Sequence, residues 1–265
     1  MNQKIKECME IILSKDWTIG EETKKIWEWI RDEKLTFSPA FKGELYDKAS
    51  VKIMYVGHAV NGWEVNVEDC TSLESTVECF ISQKDGLKTL VDKPEGYEYT
   101  SNGRKRYYKH INSHFLRLIK GILEELGESD GPISEDSWYR DSKKWNEKIV
   151  WTNLYNVAPR EGGNPDNKMI KPSMEQYVEM FRLQIEEYKP DIVIVCPLSG
   201  YFKSFDEVLD NYHEWEEDNR VIIASGKLGN SEVILCRRPD RRGISKEGVS
   251  KMAKEISQYI KKVRK

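Results

Sequence analysis

The residues best suited to chemistry in this chain stand just beyond its apolar runs. The stretch Val51-Lys52-Ile53-Met54-Tyr55-Val56 breaks at Gly57, and His58, Asn61 and Glu64 follow closely. An imidazole, a carboxamide and a carboxylate in one short segment can orient a water, move a proton or hold a polar ligand. A second run carries Thr152, Asn153 and Tyr155, and a third ends at Cys196-Pro197 ahead of Ser199. The fourth ends at Cys236 and enters Arg237-Arg238-Pro239-Asp240-Arg241-Arg242, the sharpest local charge signal in the sequence. Those arginines suit a phosphate or another anion, the plain alternative being a solvated loop with ion pairs to neighbouring acids.

These residues can meet only if the runs are strands that end on one edge of a sheet. β-Branched and aromatic residues bounded by Gly, Pro and polar clusters predict strands at 51–57, 149–155, 192–197, 221–224 and 232–236. Helical spacing predicts two short helices within 1–33, broken near Thr18 and Gly20, and further helices at about 104–126, 173–188 and 246–262. The basic run Arg104-Lys105-Arg106 reads as the soluble start of the first of these three, with His114 further along it. Residues 66–103 show no clean period and read as a long connection of the kind that often faces substrate. Strand and helix alternate through the latter two thirds of the chain. This predicts an α/β fold, a three-layer αβα sandwich around a central, mainly parallel sheet with strand ends converging on one edge.

Composition sets outer bounds. With 265 residues the chain can bury one substantial core, read as a single α/β domain of residues 1–265 with a helical N-terminal extension at 1–45 and a core at 50–262. A net charge of −3 gives no global positive field, so any nucleic-acid contact must come from local clusters. The five cysteines lack metal-ligand spacing and read as reduced thiols, Cys196 and Cys236 as buried structural ones. No apolar signal core or membrane-length run is present, which predicts a cytoplasmic protein without membrane attachment.

The order of the strand-end motifs resembles the uracil-DNA glycosylase superfamily. Gly57-His58-Ala59-Val60-Asn61 sits where that family carries a water-positioning acid or amide, and Thr152-Asn153 resembles its base-reading Asn. Arg238-Pro239 takes the place of its terminal His-Pro loop. The resemblance covers roughly residues 50–262 and implies a divergent member with a uracil-DNA glycosylase-like fold. It departs where Ala59 replaces the acid of the best-known branch and Arg238 replaces the His, and the cysteine spacing excludes the iron–sulfur branch.

The resemblance implies metal-independent hydrolysis of an N-glycosidic bond, without a cofactor, by a monomer acting on single- or double-stranded DNA. His58, Asn61 or Glu64 would place the water, Asn153 would read the base and Arg238 would stabilise the leaving base. Arg237, Arg241, Arg242 and Ser199 would hold phosphates, and Trp63, Tyr155 and Phe80 are candidate platforms for a flipped base. The replaced acid and His point to a modified or non-uracil base. They also keep open a catalytically inactive nucleic-acid or nucleotide binder, or an interaction protein whose arginine loop meets an acidic partner.

Overall fold

A computed structural model describes residues 3–59, 67–82, 97–101, 104–108, 113–131, 141–197, 202–215, 221–239 and 244–264, with 97–101 and 104–108 described as backbone. The chain opens with helix α1 (Gln3–Leu13), strands β1 (Asp16–Ile19) and β2 (Glu22–Lys25), helix α2 (Ile26–Arg31) and strands β3 (Leu35–Phe37) and β4 (Phe41–Lys42). Strand β5 (Ile53–Ala59), helix α3 (Leu73–Ser82), strands β6 (Tyr97–Ser101) and β7 (Arg104–Tyr108) and helix α4 (His114–Glu125) follow. Next come β8 (Ile149–Tyr155), β9 (Val157–Pro159), helix α5 (Met174–Tyr188) and β10 (Ile192–Val195). Strands β11 (Asp210–Glu214), β12 (Ile222–Leu228) and β13 (Ser231–Cys236) lead into the final helix α6 (Lys246–Val263).

One seven-stranded sheet, in the order β11-β12-β13-β10-β5-β8-β4, carries the fold. Its four central strands β13, β10, β5 and β8 run parallel, with Ile192 opposite Ile53 and Gly57 opposite Asn153. Their near-continuous apolar sequence suits strands covered on both faces. The expected convergence therefore holds: β5, β8, β10 and β13 deliver their C-terminal ends to the same edge. The flanks differ from the parallel alternation read from sequence, because β11, β12 and β4 pair antiparallel. Residues Gly229 and Asn230 separate the paired Leu228 and Ser231, and Gly229 has a φ of +60°, so this is a tight hairpin with no room for a crossover helix.

Alternation along the strands divides the core in two. Met54, Val56, Val150, Leu154, Val193 and Val195 pack beneath α1, α2, α3 and α5. Ile53, Tyr55, Ile149, Trp151 and Ile194 pack beneath α4 and α6 on the opposite face. Helices thus cover both faces of the sheet, compatible with the three-layer expectation. α4 is capped by Ser113, whose hydroxyl accepts from the Leu116 amide, and it lies close against α6. A Cβ added at Gly121 would come within 2.9 Å of the Ala253 Cβ. On α4 itself, Lys120 is fully buried, 3.0 Å from Asp141, and donates at 2.7 Å to the Gly131 carbonyl.

Two segments depart from the sequence expectations. Between the two N-terminal helices lies the β1–β2 hairpin, tightened at Gly20 (φ +65°), where a simple break was expected. Residues 104–108, expected as the start of a helix, form β7 and pair antiparallel with β6 from Tyr97↔Tyr108 to Ser101↔Arg104. The helix itself begins only at His114, after its Ser113 cap. The close α4–α6 contact gives a stability test. Gly121→Val must separate the helices and is expected to lower unfolding stability by about 1–3 kcal/mol in denaturant titration.

Candidate functional site

At the C-terminal edge of the sheet, β5 contributes Gly57 and His58, β8 contributes Asn153 and Tyr155, and the exit of β13 contributes Arg237, Arg238 and Pro239. The N-terminus of α4 closes the group through His114, whose Nδ1 lies 2.9 Å from the Pro239 carbonyl. A carbonyl can only accept, so this contact places the imidazole proton on Nδ1. It ties the β13 exit loop to α4. The bond gives His114 a structural role at the site's rim.

Asn153 is the centre of the arrangement. It is 6% exposed, and among the described residues its Nδ2 has no hydrogen-bond acceptor. An unpaired buried amide donor costs on the order of 1–3 kcal/mol, so such atoms ordinarily persist where a ligand or water completes them. Gly57, its register partner, makes room for it: a Cβ on residue 57 would stand 2.5 Å from Asn153 Oδ1. Here glycine is required for space.

His58 is 4% exposed and meets Tyr155 edge-on, with ring centroids 5.2 Å apart. Tyr155 is itself fully buried and edge-on to Tyr177 at 5.2 Å and to Phe205 at 5.9 Å, which braces the imidazole from below. Burial, and secondarily the positive charge of Arg238, lowers the His58 pKa from 6.5 to about 4. The ring is therefore neutral at neutral pH, able to accept or donate a hydrogen bond but unsuited to serve as an acid. The Arg238 guanidinium lies 5.0 Å from the centroid of the Phe115 ring, a cation–π contact that fixes its height above α4. Arg237 holds the β12 end through its backbone amide, which donates to the Val221 carbonyl, while its Nε has no partner among the described residues.

Of the residues singled out from sequence, the structure brings His58, Asn153, Tyr155, Arg237 and Arg238 to one edge. Phe80 is placed elsewhere: it is buried under the sheet in α3, with its ring centroid 5.4 Å from that of Phe37. Tyr155 is enclosed as well, so both aromatics are packing residues, which corrects their reading as exposed stacking platforms. Asn61, Trp63, Glu64, Ser199, Arg241 and Arg242 lie outside the described residues. Sequence reasoning missed Phe115 as the support of Arg238, since an aromatic at a helix start carries no signal of what lies across from it.

Asn156 locks the exit of β8 from below, with Nδ2 donating to the Ser38 carbonyl at 2.8 Å and its own carbonyl accepting from the Ser38 amide at 2.9 Å. Cys196 and Cys236 are buried free thiols, and burial pushes the Cys236 thiol well above its ordinary pKa, as expected of structural cysteine. Among the described residues no cluster of His, Cys, Asp or Glu could hold a metal ion, and no helix is long and apolar enough to cross a membrane. Comparison with protein-family models and with curated proteins yields no match for this chain.

The electrostatics of His58 can be measured directly. The folded pKa lies below the unfolded one, so its contribution to stability is complete above about 6.5 and is lost as pH falls toward about 4. Proton NMR of the imidazole should show a midpoint near 4 that rises in Arg238→Ala. A midpoint near 6.5 would mean that the ring is solvated.

Proposed function

We propose that this protein recognises a nucleobase at the sheet edge and hydrolyses its N-glycosidic bond in DNA. The observation that carries this reading is the buried Asn153 carboxamide, seated over Gly57 with Nδ2 lacking an acceptor among the described residues, beside a neutral imidazole and a guanidinium. A carboxamide offers a donor and an acceptor side by side, which complements the imide-like edge of a pyrimidine. The Arg238 guanidinium supplies the charge that a departing base needs.

In this reading the C1′–N bond breaks with its electron pair passing to the base. A water oxygen bonds to C1′ and gives up its proton to solvent. Neutral His58 holds that water by hydrogen bonding, with Asn61 and Glu64 of the same segment as the further candidates. Arg238 stabilises the charge that builds on the base, and Arg237, with Arg241 and Arg242, meets the flanking phosphates. No metal or cofactor enters the scheme.

A second reading is a binder without turnover on the same edge. It is favoured by the surroundings of His58, where burial and the Arg238 charge lower its pKa and leave the ring unsuited to act as an acid. Loss of the acid at Ala59 and of the terminal imidazole at Arg238 is expected to slow uracil release by on the order of a hundredfold or more for each group. A modified base with an imide-like edge is the better substrate under this account. Single-turnover assays with a panel of base-modified oligonucleotides test both readings. Release of one such base, with uracil slow and the Asn153→Ala variant at least about a hundredfold slower still, is the expected result. Binding without release of any base would select the binder.

A further inference from the structure

Among the described residues the β6–β7 hairpin joins none of the other sheets, and its two strands pair with each other. Its register places Tyr97 opposite Tyr108, Tyr99 opposite Arg106 and Ser101 opposite Arg104. Residues directly opposite in an antiparallel pair share a face, and the face alternates along each strand. Positions 97, 99, 101, 104, 106 and 108 therefore form one face. Three tyrosines and two arginines occupy it, with no acid, in a chain whose net charge is −3. Glu98, Thr100, Lys105 and Tyr107 occupy the other face. The basic run 104–106 is thus divided by the pleat.

The ribbon is tethered to the site through α4. It lies between α3 and α4, whose His114 meets Pro239 at the β13 exit. Only four residues separate Tyr108 from Ser113, the α4 cap, so the five steps between them span at most about 18 Å when fully extended. A two-stranded ribbon is marginal alone in water, so one of its faces needs a surface to cover it.

We propose that the Tyr97, Tyr99, Tyr108, Arg104 and Arg106 face of this hairpin binds single-stranded DNA beside the site. Tyrosine rings accept bases by stacking without regard to sequence, while the interleaved guanidiniums neutralise phosphates. The occupant is single-stranded because stacking requires bases with free faces. This deepens the nucleobase-hydrolysis reading by naming the form of its substrate, and it rests on that reading only for the choice of DNA.

The test is fluorescence anisotropy with a labelled oligonucleotide of ordinary bases, as a single strand and as a duplex, across a salt series. Tyr99→Ala/Tyr108→Ala should weaken single-strand binding by about tenfold or more, and Tyr99→Phe/Tyr108→Phe should restore it. Arg104→Ala/Arg106→Ala should reduce the slope of log affinity against log salt by about 1.4. Failure of the wild-type protein to bind the single strand, preference for the duplex, or equal binding by all variants would each overturn the proposal. So would equal loss in the Phe and Ala variants. Single-strand binding lost in the variants, with no base released from any substrate, would sustain the hairpin role and end the hydrolysis reading. Base release unaffected by the variants would do the reverse.

Discussion

The edge of this sheet depends on the close approach of β5 and β8 at Gly57 and Asn153. Two parallel strands in register set their backbones a fixed distance apart, and the pleat puts positions 57 and 153 on the same face. A carboxamide can turn across the neighbouring strand only where that strand carries no Cβ, and the 2.5 Å separation between a Cβ at 57 and Asn153 Oδ1 shows how little room exists. Gly57, where the sequence suggests a break, lies within β5 and is the seat of the amide. Everything else at the edge is arranged around it.

The charges around that amide follow from burial. His58 is held against Tyr155, which Tyr177 and Phe205 brace in turn, and burial pushes it below its ordinary pKa, so it cannot compete with Arg238 as a cation. Arg238 keeps its position through Phe115, and the loop that carries it is held by the His114–Pro239 bond. Under the proposed reading, a neutral hydrogen-bonding ring, an amide whose donor has no acceptor among the described residues and a cation held by Phe115 suit a ligand whose edge is polar and whose charge becomes negative on departure.

Much of this could be read from the sequence, for a reason visible in particular runs. Residues 149–155 and 192–195 are apolar and β-branched because both faces of a central parallel strand are covered, and such runs announce themselves without neighbours. Their common direction placed His58, Asn153 and Arg238 on one edge before any contact was known. The misreadings came from turns. Asn102-Gly103 stands between the paired Ser101 and Arg104, and Gly229-Asn230 between the paired Leu228 and Ser231. Each is a hairpin signal that hydrophobic periodicity does not register, so 104–108 reads as a helix start and the β12–β13 pair as part of a parallel array. The burial of Phe80 and Tyr155 was illegible for a different reason: aromatic residues mark cores and ligand platforms alike, and only packing tells them apart.

The central claim is that Gly57 exists to seat the Asn153 amide for a nucleobase. A double-mutant cycle on base binding tests it, using Gly57→Ala, Asn153→Ala and the combination, with unfolding measured alongside. The account predicts that each single change weakens binding of an oligonucleotide carrying the recognised base by at least about tenfold, with the fold retained, and that the double variant is no worse than Asn153→Ala alone. Additive losses, or a Gly57→Ala protein that binds as the wild type does while Asn153→Ala does not, would contradict it.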